Sequence, residues 1–223
     1  MLIENRFLVF ILILLSLLAS SCVRIYLRAM GVKKARTVDK EVLSNYLDKL
    51  NIQPDQILEV DSARYHKLIK TKLQDSSTYK YPNWWVQNHL QPTQVIYFDK
   101  YAGKSIAAYF NCIAESSFPF NLTYNKYNEL EYFPPLTYSD SKWIDTLFSL
   151  NELLGTINDL DTKTFVFNNN GKRYLALIYY SLFVEKQSTN LIRETNTHIR
   201  NCIKDSCQVL YINMDNYMFQ QMK

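Results

Sequence analysis

The chain has 223 residues, a formal net charge of +4 and 48% hydrophobic residues. This length and composition predict one globular domain with at most a small appendage, and they exclude disorder of the whole chain. Only 4 glycines are present, which disfavours collagen-like repeats and glycine-rich phosphate loops. The mild positive charge falls short of the basic face that nucleic-acid binding requires, so no nucleic-acid partner is predicted.

The beginning of the sequence is typical of a secretory signal peptide. Arg6 precedes an apolar run over residues 7–18, and small residues follow that run. The segment Leu18-Ala19-Ser20-Ser21-Cys22 then resembles the lipobox of bacterial lipoproteins. This resemblance implies cleavage before Cys22 and attachment of diacylglycerol to the Cys22 thiol.

The lipoprotein resemblance implies an organisation and an address. Residues 1–21 would be the signal peptide, residues 22–37 the lipid anchor and basic tether, and residues 38–223 a single domain. The protein would belong to the cell envelope and face the periplasm, and Val23 after the modified cysteine slightly favours the outer membrane. Its implied partner is the membrane, reached through lipid on Cys22, while any protein partner is unknown.

An uncleaved, single-pass membrane anchor is the alternative for this segment. Residues 7–23 contain no charged side chain and are just long enough to span a bilayer. The basic residues that follow would suit a cytoplasmic flank: Arg24, Arg28, Lys33, Lys34 and Arg36. In a lipoprotein the same residues would be attracted to anionic lipid or form a merely solvated linker.

The first half of the domain predicts two helices and a hairpin. Apolar residues recur at helical spacing over residues 38–50, with Asp39 as the N-cap, and again over residues 62–73. Residues 94–99 and 105–112 are rich in strand-forming side chains, and the loop between them contains Gly103. This pattern predicts an antiparallel hairpin.

The second half predicts a strand–helix–strand unit after a helix at 139–150, a short strand at 164–167 and a turn at Asn170-Gly171. Residues 174–184 are almost continuously apolar, which is typical of a central strand covered on both faces. Residues 186–203 form the predicted helix and residues 208–213 the second strand. Two strands joined by one crossover helix should be parallel. The predicted fold class is therefore α+β, with a mixed sheet.

Residues 164–217 resemble the nucleating unit of thioredoxin-like domains. That family places a central strand before a helix that begins with two redox-active cysteines, and its second strand ends in a polar stretch like Asn213-Met214-Asp215. The positions corresponding to the cysteines lie near Val184 and Gln187, which carry no thiol. The resemblance therefore implies a truncated, redox-inert thioredoxin-like βαβ unit.

Three thiols remain if Cys22 is lipidated. A disulfide between Cys202 and Cys207 is geometrically feasible in an oxidising compartment. The alternative places Cys202 on the buried face of a helix and Cys207 at the start of a strand. Cys112 ends an apolar strand, so we expect it to be buried, and none of the three is predicted to be catalytic.

Few motifs in the sequence point to catalysis. The spacing of His66, His89 and His198 fits no zinc site, and no G-x-S-x-G motif occurs. No metal, cofactor or catalytic residue is predicted. The sequence favours a non-catalytic binding or scaffold module of the envelope. A thiol oxidoreductase-like enzyme using Cys202 and Cys207, or Cys112, is the alternative, and a toxin-immunity lipoprotein is a third.

Overall fold

A computed structural model of the chain describes residues 31–74, 86, 88–110 and 147–222, without the side chains of residues 104, 109, 110, 202 and 204. Six strands form one sheet: β1 Leu58–Val60, β2 Gln94–Asp99, β3 Lys104–Phe110, β4 Ile157–Asp159, β5 Tyr174–Tyr180 and β6 Cys207–Asn213. The α-helices whose bounds lie within these residues are α1 Lys40–Asp48, α2 Ser62–Gln74, α3 Leu150–Leu154, α4 Glu185–His198 and α5 Asp215–Gln221.

The sheet is mixed, with the strand order β3-β2-β5-β6-β1-β4. Strand β2 pairs antiparallel with both β3 and β5, and β4 pairs antiparallel with β1. Strand β6 runs parallel to both β5 and β1. The predicted α+β class, the hairpin and the parallel pair around α4 are therefore confirmed. The thioredoxin-like character of that unit stays a prediction.

Strand β5 lies at the centre of the sheet and is buried on both faces. Its side chains alternate between the two hydrophobic clusters that cover those faces. Ala176, Ile178 and Tyr180 pack with α1 and α4, whereas Leu175, Leu177 and Tyr179 pack with α2 and α5. Each large apolar side chain buried in this way stabilises the fold by roughly 1.5–3 kcal/mol. The two covered faces explain the apolar run over residues 174–180, whereas residues 181–184, predicted to continue the strand, lie in the loop after it.

Helices α1 and α4 confirm the predicted helices at 38–50 and 186–203, and each buries one face. The Asp39 carboxylate caps α1 by accepting a hydrogen bond from the backbone N–H of Val42 at 3.0 Å. One face of the α4 segment is buried, with side chains at helical spacing: Leu191, Ile192, Thr195, Ile199 and Ile203. After His198 the segment continues as a π-helical turn, Ile199–Ile203, and a 3-10 turn, Lys204–Ser206.

Two predicted elements are corrected. Residues 164–167 have no regular secondary structure and pair with no described strand, so the predicted strand is wrong. Phe165 and Phe167 pack against the core, while Val166 is 72% exposed and an open cleft separates the segment from β6. Residues 139–146 of the predicted helix at 139–150 lie outside the described residues. Residues 147–149 are not helical, and α3 begins only at Leu150, where Ser149 and Glu152 form a capping box.

Candidate functional site

The buried Asp215 carboxylate lies at the carboxyl ends of the parallel strands β5 and β6 and holds the loop that follows β5. Its Oδ1 accepts hydrogen bonds from the Ser181 hydroxyl at 2.7 Å and the Phe183 N–H at 3.0 Å. Its Oδ2 accepts from the Leu182 N–H at 2.8 Å and the Asn213 side-chain amide at 2.7 Å. Since a carboxylate offers about four acceptor positions, these contacts leave little capacity for a substrate. Asp215 therefore acts as a structural anchor for the loop after β5.

The described part of the predicted basic tether packs on this same loop. Val32 forms an antiparallel bridge with Val184, and the Lys33 N–H donates to the Phe183 carbonyl at 2.8 Å. The Lys33 ammonium also forms an ion pair with Glu185. Residues 32 and 33 are thus attached to the domain.

A basic pocket forms beside the docked segment. It has a volume of about 320 Å³, and its walls come from residues 33–36, the end of α1 and the loop after β5. Four cationic side chains line it, against the two carboxylates of Glu185 and Asp215. The four cations are Lys33, Lys34, Arg36 and Lys49.

A second concavity, the edge cleft, lies along the amino-terminal part of β6. Strand β1 pairs only with Ile212 and Asn213, whereas β5 pairs with β6 along its whole length. On the β1 side, residues 207–211 therefore have no strand partner within the described part of the chain. A cleft of about 410 Å³ opens there, walled by residues 52–56 and 165–168.

Two lysines lie where β5 and β6 begin, at one end of the edge cleft. The Lys100 ammonium donates to the Asn169 side-chain oxygen at 2.8 Å and to that of Gln208 at 3.2 Å. The Lys172 ammonium donates to the Cys207 carbonyl at 3.3 Å. Burial lowers the pKa of Lys100, and the nearby Lys172 charge lowers it further. No carboxylate among the described residues forms an ion pair with either lysine, so this end of the cleft is basic, although Asp55 places one carboxylate in the cleft wall.

The Cys207 thiol lies at the start of β6 and is free and buried. Burial raises its pKa to about 12, so the thiol is protonated at neutral pH and is a poor nucleophile. This arrangement matches the alternative of a packed thiol at a strand start. Because the Cys207 thiol is free, no disulfide links it to Cys202 in this structure.

The other residues that the sequence singled out form no site within the described part of the chain. Cys22, Cys112 and the signal segment lie outside the described residues. Across the described ranges no cluster of three His, Cys, Asp or Glu side chains could hold a metal ion. His198 is buried, and its Nδ1 lies 3.1 Å from the Tyr97 hydroxyl. Sequence reasoning missed both the edge cleft and the role of Asp215. For Asp215 the available signal was the polar run Asn213-Met214-Asp215 after a buried strand.

Comparisons with protein-family models, with curated proteins and with solved structures found no match to this chain. In the portion of the chain that is described, no helix combines the length and the apolar character needed to cross a bilayer. The geometry of the edge cleft and of the basic pocket provides the functional argument.

Proposed function

We propose that this chain is a non-catalytic binding module of the cell envelope, and that its edge cleft binds an extended segment of a partner protein. The observation that carries the proposal is the backbone edge of β6 over residues 207–211, which faces the cleft without a strand partner among the described residues. An unpaired strand edge presents N–H and C=O groups that an added strand satisfies.

The dimensions of the cleft fit a short strand. At ~3.3 Å per residue, the five residues 207–211 extend over about 16 Å. The cleft volume of about 410 Å³ lies in the range of small binding sites. We therefore expect a partner segment of four or five extended residues, with side chains that alternate between the two sides of the cleft.

The charge at the cleft favours an acidic partner segment. Lys100 and Lys172 lie at the end of the cleft where β6 begins, and their hydrogen bonds go to neutral amide and carbonyl oxygens. Hydrogen bonds from an ammonium to a carboxylate are roughly twice as strong as those between neutral groups. The preferred segment therefore carries an aspartate, a glutamate or a terminal carboxylate at this end.

The chemistry of the buried groups supports binding over thiol catalysis. A thiol oxidoreductase requires a thiolate at neutral pH, whereas burial raises the pKa of Cys207 to about 12. The Asp215 carboxylate is engaged in four hydrogen bonds that hold the loop after β5. These two observations are also consistent with a redox-inert version of a thioredoxin-like unit.

The proposed address is the envelope membrane, through lipid on Cys22, with the domain facing the periplasm and the outer membrane favoured. The docked residues 32 and 33 lie at the carboxyl ends of β5 and β6, whereas the edge cleft starts at their amino ends. The seven residues of β6 separate these ends by about 20 Å. Such an anchor would hold the edge cleft away from the bilayer, open to a partner.

Binding of a defined peptide tests the cleft. The probe is a rhodamine-labelled decapeptide of alternating valine and threonine with one terminal aspartate, and its affinity for the full chain in neutral detergent is measured by fluorescence anisotropy. A second peptide has asparagine in place of the aspartate, and a third has N-methyl groups on alternate backbone nitrogens. We expect about tenfold weaker binding of the asparagine peptide, since a charge-assisted contact is lost. We expect no binding of the methylated peptide.

Matched variants make the test specific. Lys172→Gln, alone or with Lys100→Gln, should abolish the preference for the aspartate peptide. Lys67→Gln with Lys70→Gln on α2 removes the same charge from an exposed helix face and should leave the preference intact. Equal affinity for the methylated and unmethylated peptides would contradict strand addition, because methylation removes the backbone donors that it requires.

A further inference from the structure

We infer that the basic pocket binds the phosphate of an anionic phospholipid headgroup. The inference rests on the proposed membrane address, and it concerns a surface at the opposite end of β5 and β6 from the start of the edge cleft. The pocket brings cations from two separate parts of the chain into one concavity. Lys33, Lys34 and Arg36 belong to the docked tether, and Lys49 follows the last turn of α1.

The cations of the pocket are not neutralised by the protein. Lys33 pairs with Glu185, but no carboxylate in the described ranges pairs with Lys34, Arg36 or Lys49. All three side chains are on exposed residues, so their ammonium and guanidinium groups are available to an anion. A planar guanidinium next to two ammonium groups is a favourable donor set for phosphate oxygens.

The two carboxylates in the pocket wall do not neutralise the four cationic side chains. Glu185 is held by Lys33, and the oxygens of Asp215 accept four hydrogen bonds from the loop after β5 and from Asn213. Hydrogen bonds to a carboxylate stabilise its charge locally and fix its direction. With four cations and two engaged carboxylates, the pocket keeps a net positive charge.

The place of the pocket in the chain identifies a lipid as the source of the phosphate. Nine peptide units separate Cys22, the proposed lipidation site, from Gly31 at the start of the docked segment. Fully extended, that length of chain reaches about 30 Å, so the pocket cannot lie far from the bilayer surface. Basic residues at that distance are attracted to an anionic leaflet at physiological ionic strength.

Hydrogen exchange in lipid nanodiscs tests the inference on the full chain. The probes are nanodiscs of phosphatidylcholine alone and nanodiscs with 30% phosphatidylglycerol. Exchange is followed by mass spectrometry over residues 31–49 and 181–185. We expect at least about tenfold slower exchange in these two segments with phosphatidylglycerol, because a bound headgroup bridges the tether to the end of α1. High salt should remove the difference by screening.

Two triple variants distinguish a pocket from general charge. Lys34→Gln/Arg36→Gln/Lys49→Gln should lose the protection. Lys67→Gln/Lys70→Gln/Arg200→Gln removes the same net charge from α2 and from the π-helical turn, and it should keep the protection. Equal protection in both variants would overturn the inference. Protection by inorganic phosphate in pure phosphatidylcholine discs would assign the site to free phosphate and overturn the lipid source.

Failure of the membrane address is distinguishable from failure of the pocket. A chain that does not enter nanodiscs would contradict the proposed anchor, and co-sedimentation with phosphatidylglycerol vesicles would then test the pocket directly. In that assay the three pocket substitutions should weaken binding about a hundredfold, since each basic residue near an anionic surface contributes up to about a factor of five. Unchanged co-sedimentation would overturn the pocket.

Discussion

The Ser181 hydroxyl donates a hydrogen bond to the Asp215 carboxylate at 2.7 Å, and both side chains are buried. Ser181 follows β5 and Asp215 begins α5, so this contact joins the ends of two parallel strands. The Ser188 hydroxyl continues the network by donating to the Ser181 carbonyl at 2.7 Å. The Asp215 carboxylate therefore holds the loop on which the basic tether packs.

Asp215→Ala should destabilise the protein by about 3 kcal/mol or more. The substitution leaves the Leu182 N–H, the Ser181 hydroxyl and the Asn213 amide without their acceptor, whereas the Phe183 N–H keeps its hydrogen bond to the Ser181 hydroxyl oxygen at 3.1 Å. Each buried donor without a partner costs about 1–3 kcal/mol. Urea unfolding followed by intrinsic fluorescence measures the change. Asp161→Ala is the control, because Asp161 forms an exposed ion pair with Lys40 and should matter by less than about 1 kcal/mol. Equal effects would contradict the anchoring role.

Gly31→Ala should detach the tether from the loop after β5. Gly31 has a φ of +80°, and a Cβ atom there would lie 2.8 Å from the Cβ of Lys186. Gly171→Ala is a matched control, with a φ of +76° but no atom within 4 Å of the added Cβ. Both substitutions should lower the free energy of unfolding by about 1 kcal/mol, because alanine disfavours a positive φ. Only Gly31→Ala should speed hydrogen exchange of the Lys33 amide, and equal exchange in the two variants would contradict docking through this contact.

The central strand β5 could be predicted from the sequence. Strands β1 and β4, the last two strands on the β6 side of the sheet, could not. Strand β5 is covered on both faces, so its sequence is a continuous apolar run with a clear interpretation. Strands β1 and β4 have three residues each, too few to show an alternating pattern. Their position depends on pairing with β6, which lies far away in sequence.

The candidate site depends on the same long-range pairing. Lys100 and Lys172 come together because Asp99 and Tyr174 are partners in the register of β2 and β5. The edge cleft exists because β1 is too short to cover β6, a mismatch of strand lengths that no local motif reveals. The basic residues 33–36 were visible in the sequence, but their attachment to the domain required the bridge between Val32 and Val184.

Stability should fall at alkaline pH. Burial raises the pKa of Tyr46 and of Tyr217 from 10.0 to about 12, so the folded protein retains protons that the unfolded chain releases. The stabilisation is present below about pH 10 and is lost as the pH rises toward 12. Each group contributes a slope of up to about 1.4 kcal/mol per pH unit in that window. Urea midpoints measured between pH 8 and 11.5 provide the test.

Tyr46→Phe gives this prediction a control. Removal of one titrating hydroxyl should make the alkaline decline shallower, although it also removes the contact with Thr189 at 3.1 Å and lowers stability at neutral pH. Tyr101→Phe changes a residue that is 76% exposed and should leave the slope unchanged. A slope that is the same in both variants would show that Tyr46 is not buried in the folded protein as described.

Cys22→Ala decides the proposed address. A lipoprotein requires the Cys22 thiol for the thioether to diacylglycerol, so the variant should lose palmitate labelling and accumulate as unprocessed precursor. An uncleaved membrane anchor depends only on the apolar run, so the variant would keep its mobility and remain in the membrane fraction. Ser16→Ala inside the apolar run is a matched control, since it leaves the thiol and the residues before it unchanged. If Cys22→Ala behaves as wild type in both labelling and mobility, the lipoprotein proposal is wrong, and the expectation of an oxidising compartment for the remaining thiols is lost with it.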